Sequence, residues 1–507
     1  MDAERRQTYR LGSAHMRTRI GVFALSAIGL ITAGPASAEE VQLVTTNGLF
    51  DFRGELLAFD GTGYTLRSSL GTLTFPADEV ICVGNACPDV NKITSAFRVA
   101  GGAMVQRLLV PELLDAYSLG VDTDISRGTS ASGNTVYELL SYDGDPVVDV
   151  ELVERDAENA FAELADGKVN LVFSQRPATD DEAAAITGGD RATLRRLGLE
   201  RILAHGAIAV TTGTQTGIDS LSVDQLVSIL TGDVRNWSDL DGADLPISVF
   251  TREKGANVRE AIDALLLAPH EAEMSDEVIT VDSVEGLNAA VATFPNSIGF
   301  SDLGATGELK PLAIKDTCDR PIPANEFTVK TGEYPLVSPV YVYQASGDIS
   351  VHARGMVDFA QTPAGQEILS LAGYVDFRPT LAPGGDAGSE VAFGDKQQPA
   401  QRLSSTFRLH PGTEPLGPDD LLELEVLADY ARSGRADGDE LLFVGFGENG
   451  IDTAQQLLAL MFETAPDVEE RLTVGFRAVA GADSLAQPCG EGDDVVVQVW
   501  TRSLAEG

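Results

Sequence analysis

Ile247-Ser-Val-Phe-Thr-Arg252-Glu-Lys-Gly255-Ala256-Asn257-Val258 is the stretch that decides the fold class. Its apolar, β-branched run stops at Arg252, and a glycine and a polar residue follow. An amphipathic stretch, Arg259-Glu-Ala-Ile-Asp-Ala-Leu-Leu-Leu267, begins directly after. That order reads as strand, short turn, helix. A guanidinium at such a turn, beside the free backbone N–H groups of a helix start, favours an anion.

Outward from this turn, the chain runs to 507 residues, too long for one core, so several units are expected. Residues 1–38 read as a secretory signal peptide: Arg17 and Arg19 precede the apolar run Ile20 to Ala33, and Pro35-Ala-Ser-Ala38 ends it in small residues. Met16 stands directly before this segment and is an alternative start to Met1. Removing 1–38 takes away five arginines and two acids and leaves 31 basic and 75 acidic residues, a net charge of −44. That charge repels nucleic acid and anionic membrane surfaces, and a bound anion must be held by local donors against it. Export, with no later apolar run of transmembrane length, places the mature chain in the periplasm. Cys82 and Cys87, in Ile-Cys-Val-Gly-Asn-Ala-Cys-Pro, are expected to close a small disulfide loop, since no histidine or second cysteine pair lies near enough for a metal. For Cys318 and Cys489 pairing and free thiols both stay open.

Residues 39–92 alternate apolar and polar positions between glycine turns, which predicts a small all-β module stapled by that disulfide. From 93 to 379 short apolar runs such as Leu171-Val-Phe, Ala207-Ile-Ala-Val and Ile298-Gly-Phe alternate with helical stretches at 110–117, 158–164 and 223–230. That pattern predicts an α/β domain with parallel sheets covered on both faces. Residues 380–401, rich in Gly, Asp, Gln and Pro, read as a linker. The last unit, 402–507, reads strand, long helix, strand, helix, then two strands, a compact α/β sandwich.

Four turns of the middle domain are candidates for one pocket. They are Gly101-Gly102-Ala103-Met104 after a strand, Ser130-Ala-Ser132-Gly-Asn before an expected helix, Ser174-Gln175-Arg176-Pro177, and the turn Arg252 to Asn257 that includes Gly255 and Ala256. Ligands of open α/β sheets sit outside the carboxyl ends of the strands, where these turns fall. Over this domain the sequence resembles the phosphate-binding (PstS-like) branch of the type-2 periplasmic binding proteins. The resemblance is carried by Leu226-Val-Ser-Ile-Leu-Thr-Gly-Asp-Val-Arg-Asn236-Trp237-Ser-Asp-Leu, Ser297-Ile-Gly-Phe300, Tyr334 to Tyr343, and Thr362-Pro-Ala-Gly365-Gln-Glu-Ile-Leu, in the family's order.

The resemblance implies two lobes, about 93–205 with 310–379 and about 206–309, closing on an oxyanion and presenting it to an ABC permease. It assigns Gly102, Ala103 and Met104 to the first-turn position and Ser130 and Ser132 to a serine loop. Ser174, Gln175 and Arg176 follow the third strand, and Arg252 is the clamp arginine. The chain departs from the pattern where Gln175 and Arg176 replace an acceptor carboxylate. It departs again where Ala256, Asn257 and Val258 replace Ser-Gly-Thr, which removes donors and weakens discrimination of phosphate from sulfate.

The last unit resembles the OmpA-like peptidoglycan-associated domain through Leu403-Ser-Ser-Thr-Phe407 and Val444-Gly-Phe446, which implies a cell-wall or outer-envelope partner. Glu448 stands near that family's aspartate, and Gly492-Asp-Asp replaces its basic stretch, so the implied grip on peptidoglycan is weak. No P-loop, Gly-x-Ser-x-Gly elbow or histidine pair at metal spacing points to an enzyme, and no cofactor or metal is expected. The leading expectation is therefore a non-enzymatic receptor for inorganic phosphate or a similar oxyanion. The alternative is an envelope structural or sensory adaptor with a vestigial cleft, docked through its terminal domain.

Overall fold

The computed structural model describes residues 40–45, 51–59, 63–68, 71–76, 80–84, 87, 95–102, 105–254, 256–347, 349–383, 390–392, 399–409, 418–447, 449–469, 474–481 and 495–503. The expected signal peptide, Ala103, Met104, Gly255, Glu448 and Cys489 lie outside them, as does the Asn257 side chain.

The first unit, residues 1–59 and 63–87, holds an antiparallel sheet in the order Gly71–Pro76, Gly63–Ser68, Asp51–Phe59, Glu40–Thr45, Val80–Val83. Alternation buries Val41, Leu43, Tyr64, Leu66 and Val80, a core of few residues. Cys82 and Cys87 are disulfide-bonded at its edge and pack against it.

The second unit carries the α/β domain. Ten strands form one sheet, in the order Ile279–Val281, Ser248–Arg252, Ser297–Asp302, Glu200–Thr212, Val337–Gln344, Leu171–Ser174, Ser95–Gly101, Pro146–Glu154, Thr135–Leu140, Asp124–Thr129. The sheet is mixed, where parallel sheets were expected. Strands Glu200–Thr212 and Val337–Gln344 cross between the lobes and run antiparallel to both of their neighbours. The hairpin joining Asp124–Thr129 to Thr135–Leu140 adds antiparallel pairs at one edge. Within each lobe the pairs Ser95–Gly101 with Leu171–Ser174 and Ser248–Arg252 with Ser297–Asp302 are parallel.

Helices cover the lobe-one sheet on both faces. Leu109, Leu113 and Met356 pack on one side, and Phe161, Leu164 and Leu194 on the other. Lobe two closes around Leu226, Leu230, Trp237, Ile262 and Phe300. Trp237 is fully buried and donates Nε1–H to the Asn296 carbonyl at 2.9 Å, so it serves the core.

Past the domain, the segment expected as a linker is partly structured. Ala382 N–H donates to the Arg402 carbonyl at 2.8 Å, Ser404 N–H to that of Thr380 at 2.8 Å, and residues 399–401 already belong to strand Pro399–Leu409. Backbone pairing here overrides a composition that reads as loop, because Leu381 and Leu403 bridge across it. The terminal unit sets that strand in a sheet with Val495–Ser503, Asp439–Phe446 and Gly475–Ala480. Helices Pro418–Arg432 and Gly450–Thr464 pack on the face of Leu441 and Phe443, while Leu442, Val444 and Trp500 form a second cluster. Arg402 ties this unit to the α/β domain through Glu333 at 2.7 Å. Cys318 is disulfide-bonded.

Candidate functional site

A cavity of about 550 Å³ lies between the lobes. Lobe one contributes Gly102, Arg107, Glu154, Arg155 and Asp156. Lobe two contributes Arg252, Glu253, Lys254, Ala256 and Val258, with Asp282, Val284 and Asp302 from neighbouring strand ends. Every strand that reaches it does so with its carboxyl end, as open α/β sheets require. Gly101 is needed just before the wall at Gly102: a Cβ there would meet the Phe173 carbonyl oxygen at 2.9 Å.

Arg252 is held rigidly at the end of its strand. Nε donates to the Val281 carbonyl at 3.1 Å, and one Nη donates to the Asp282 carbonyl at 3.1 Å and to Glu253 at 3.0 Å. Its side chain is 17% exposed. The helix Asn257–Ile262 starts behind it at Ala256, which offers no side chain to cap the first N–H groups. Asp302, at the end of Ser297–Asp302, faces the same cavity, and burial pushes its carboxyl up to about 6 against the opposing pull of Arg252. Arg107 pairs with Glu154 at 3.2 Å and Arg155 with Glu163 at 2.8 Å. Lys254 has no ion pair among the described residues and is exposed to the cavity.

The lobes also touch directly. Ala157 N–H, at the first turn of helix Ala157–Ala165, donates to the Glu260 carboxylate at 3.3 Å. Burial raises the Glu260 carboxyl above its usual range, opposed by that N–H and by Arg176.

Of the residues the sequence put forward, Gly102, Arg252, Ala256 and Val258 line the cavity, and Ser130, Ser132, Ser174, Gln175 and Arg176 do not. Arg176 grips Glu182 with both ends of its fork, at 2.6 and 2.8 Å, and lies over the Phe161 ring at 5.0 Å. Glu182 is also the third residue of helix Asp180–Thr187 and completes a capping box with Thr179, so Arg176 is spent on a helix start. Ser174 closes a local turn, its Oγ donating to the Arg176 carbonyl at 2.8 Å. Gln175 is buried at 5% exposure beside the crossover strand, with its carbonyl accepting from Ser338 and its Oε1 unpartnered among the described residues. Ser130 and Ser132 sit in a β-hairpin turn rather than before a helix. Ser130 N–H donates to the Asn134 carbonyl, Gly133 takes φ +86°, and Ser132 faces Glu151. A strand on each side of a five-residue turn that carries Ser, Gly and Asn is a hairpin signal, and it outweighs the serine-loop resemblance there.

The sequence reading passed over Arg107, Arg155, Lys254 and Asp302. Arg155 had a usable signal: the alternating run Val147 to Val153 ends in Glu154-Arg155-Asp156 before a helix, the same strand, turn and helix order as at Arg252.

Residues 120–361 match the model of the PBP superfamily domain. That PBP match takes in both crossover strands and every cavity residue except Gly102 and Arg107. Phosphate-binding protein PstS of Bacillus subtilis is 25% identical over 232 residues, 46% of this chain and 72% of the relative. Phosphate-binding protein PstS of Borreliella burgdorferi is 25% identical over 191 residues, 35% of this chain and 66% of the relative. Among solved structures, an ABC-type phosphate transport receptor from Vibrio cholerae is 17% identical with a TM-score of 0.43, covering 55% of this chain and 99% of its own. Both of these curated relatives carry the name of a phosphate-binding protein. No described helix is long and apolar enough to cross a membrane, and no described cluster of His, Cys, Asp and Glu could hold a metal ion.

Proposed function

We propose that the domain at 93–379 is a periplasmic receptor that closes its lobes on a small oxyanion, phosphate first, and delivers it to an ABC permease. The observation that carries this reading is Arg252. Its guanidinium is nearly enclosed, fixed by two backbone carbonyls, and set on the wall of a cavity to which both lobes contribute. A cation held in advance loses little on binding, which is what an anion clamp needs. The names of the curated relatives support phosphate as the first candidate. In this reading 1–38 directs export, and the unit at 402–507 is an OmpA-like domain that keeps the receptor near the envelope. Titration calorimetry of the mature chain with phosphate and with sulfate tests it. Heat with phosphate at micromolar to millimolar affinity supports the receptor; silence with both ions removes it.

The second reading is the envelope adaptor with a vestigial cleft, and the five carboxylates lining the cavity favour it. A pull-down on purified peptidoglycan separates the two. Retention of a chain that is silent in calorimetry is the adaptor's signature.

A further inference from the structure

The charges of the cavity do not suit a bare anion. Four bases face five carboxylates, and two of the bases are paired with carboxylates of the lining itself. Arg155 is drawn away to Glu163, which leaves Lys254 as the base without an ion pair among the described residues. Asp156, Asp282 and Asp302 likewise have no ion pair there. The whole chain carries a formal charge of −41, so the surrounding field adds to the opposition. The space of about 550 Å³ is also more than a bare tetrahedral ion fills.

Asp302 is the wall of a second pocket as well, of about 220 Å³, beside the crossover strand. Gly206, Leu303, Gly304 and Gly373 give it small, uncharged walls, and Tyr374 contributes an aromatic ring. The close walls depend on glycine: a Cβ on Gly304 would lie 2.3 Å from the Gly373 carbonyl oxygen. Among the described residues no base lines this pocket. A carboxylate, an aromatic ring and otherwise apolar surface are the elements that recognise a substituted ammonium.

We propose that the solute is a zwitterion: a phosphate monoester whose anionic end rests on Arg252 and Lys254 and whose ammonium end enters the second pocket against Asp302 and Tyr374. This deepens the oxyanion reading and rests on it. Asp302, which opposes a bare anion, then becomes the counter-charge of the ligand's other end. A ligand of low net charge also meets less of the protein's own field.

Calorimetry of the mature full-length chain with inorganic phosphate, glycerol 3-phosphate and phosphocholine decides it. Phosphocholine is expected to bind about tenfold or more tighter than glycerol 3-phosphate, which has the same anionic end and no cation. Asp302→Asn is expected to reverse that order, weakening phosphocholine and tightening inorganic phosphate. Tyr374→Leu, which keeps the carboxylate, is expected to weaken phosphocholine alone. If inorganic phosphate binds and phosphocholine is no tighter than glycerol 3-phosphate, the zwitterion proposal fails while the receptor stands. If none of the three binds, the receptor reading fails with it.

Discussion

Arg252 closes the short strand Ser248–Arg252 and Arg176 lies two residues past the short buried strand Leu171–Ser174, and each is followed by a turn and a helix. Their surroundings divide them. The helix after Arg176 begins with three acids, and one of them, Glu182, lies six residues on, where it can reach back to both the helix start and the guanidinium. The helix after Arg252 is preceded by Ala256, which has no capping side chain, and its arginine is braced by two carbonyls that carry no full charge, with one Nη also on the half-exposed carboxylate of its neighbour Glu253. A largely buried carboxylate that grips both ends of the fork, as Glu182 does, neutralises a guanidinium; carbonyl partners and one contact to a solvent-exposed carboxylate orient it and leave more of its charge for a ligand. Two arginines with the same local grammar therefore hold different offices, one in stability and one in the cavity.

The sharpest way to break this comparison is to remove each arginine in turn. Arg252→Ala is expected to weaken phosphate binding by about a hundredfold or more, the usual cost of deleting one side of a desolvated charge contact. A loss under threefold in calorimetry would place the anion elsewhere. Arg176→Ala is expected to cost about 1–3 kcal/mol of folding stability, because Glu182 loses its buried partner, with affinity for phosphate within about twofold. Chemical denaturation and calorimetry on the same preparation read both quantities. A large affinity change without loss of stability would reverse the assignment.

Asp302 sharpens the comparison by pH. Its carboxyl is held at about 6 in the folded protein, against about 4 in an unfolded chain. Between those values the folded state binds the proton more, so its contribution to stability falls as pH rises from about 4 to about 6 and stays low above. Asp302→Asn is expected to abolish this fall, so its thermal midpoint should exceed the wild type's by about 2–4 °C at pH 7.5 and converge with it near pH 4. A difference independent of pH would show that the gain is not electrostatic. The smallest effect belongs to Lys254: its side chain is exposed, and Lys254→Ala is expected to weaken phosphate by about twofold to fivefold, and less at high salt.

Much of the architecture is legible in the sequence. The apolar runs at 171–173, 207–210 and 298–300 are strands, and the helical stretches at 110–117, 158–164 and 223–230 lie in helices one to three residues longer. Strand direction could not be read. Whether Glu200–Thr212 runs with or against its neighbours depends on which lobe its far end joins, and periodicity carries no such sign. The site was legible in part. Turn chemistry puts forward Gly102, Ser130, Arg176 and Arg252 alike, and of these only Gly102 and Arg252 line the cavity, because a hairpin takes Ser130 and Glu182 takes Arg176. Arg107 and Asp302 gave little local signal, since a lone charge at an element's end is ordinary in so acidic a chain.

Sequence alone determined the alternation of strand and helix, the small disulfide loop at Cys82 and Cys87, the acidic field, and the presence of an arginine at a strand-to-helix turn. Those properties follow from residues close in the chain, whose periodicity, turn chemistry and charge act over a few bonds. Tertiary structure decided which charges meet: that Glu182 takes Arg176, that Asp302 stands opposite Arg252, and that Glu260 reaches the first turn of a helix 103 residues earlier. The reason is that Coulomb and hydrogen-bond partners are chosen by distance in space, and the crossover strands set those distances by bringing the two lobes to face one another.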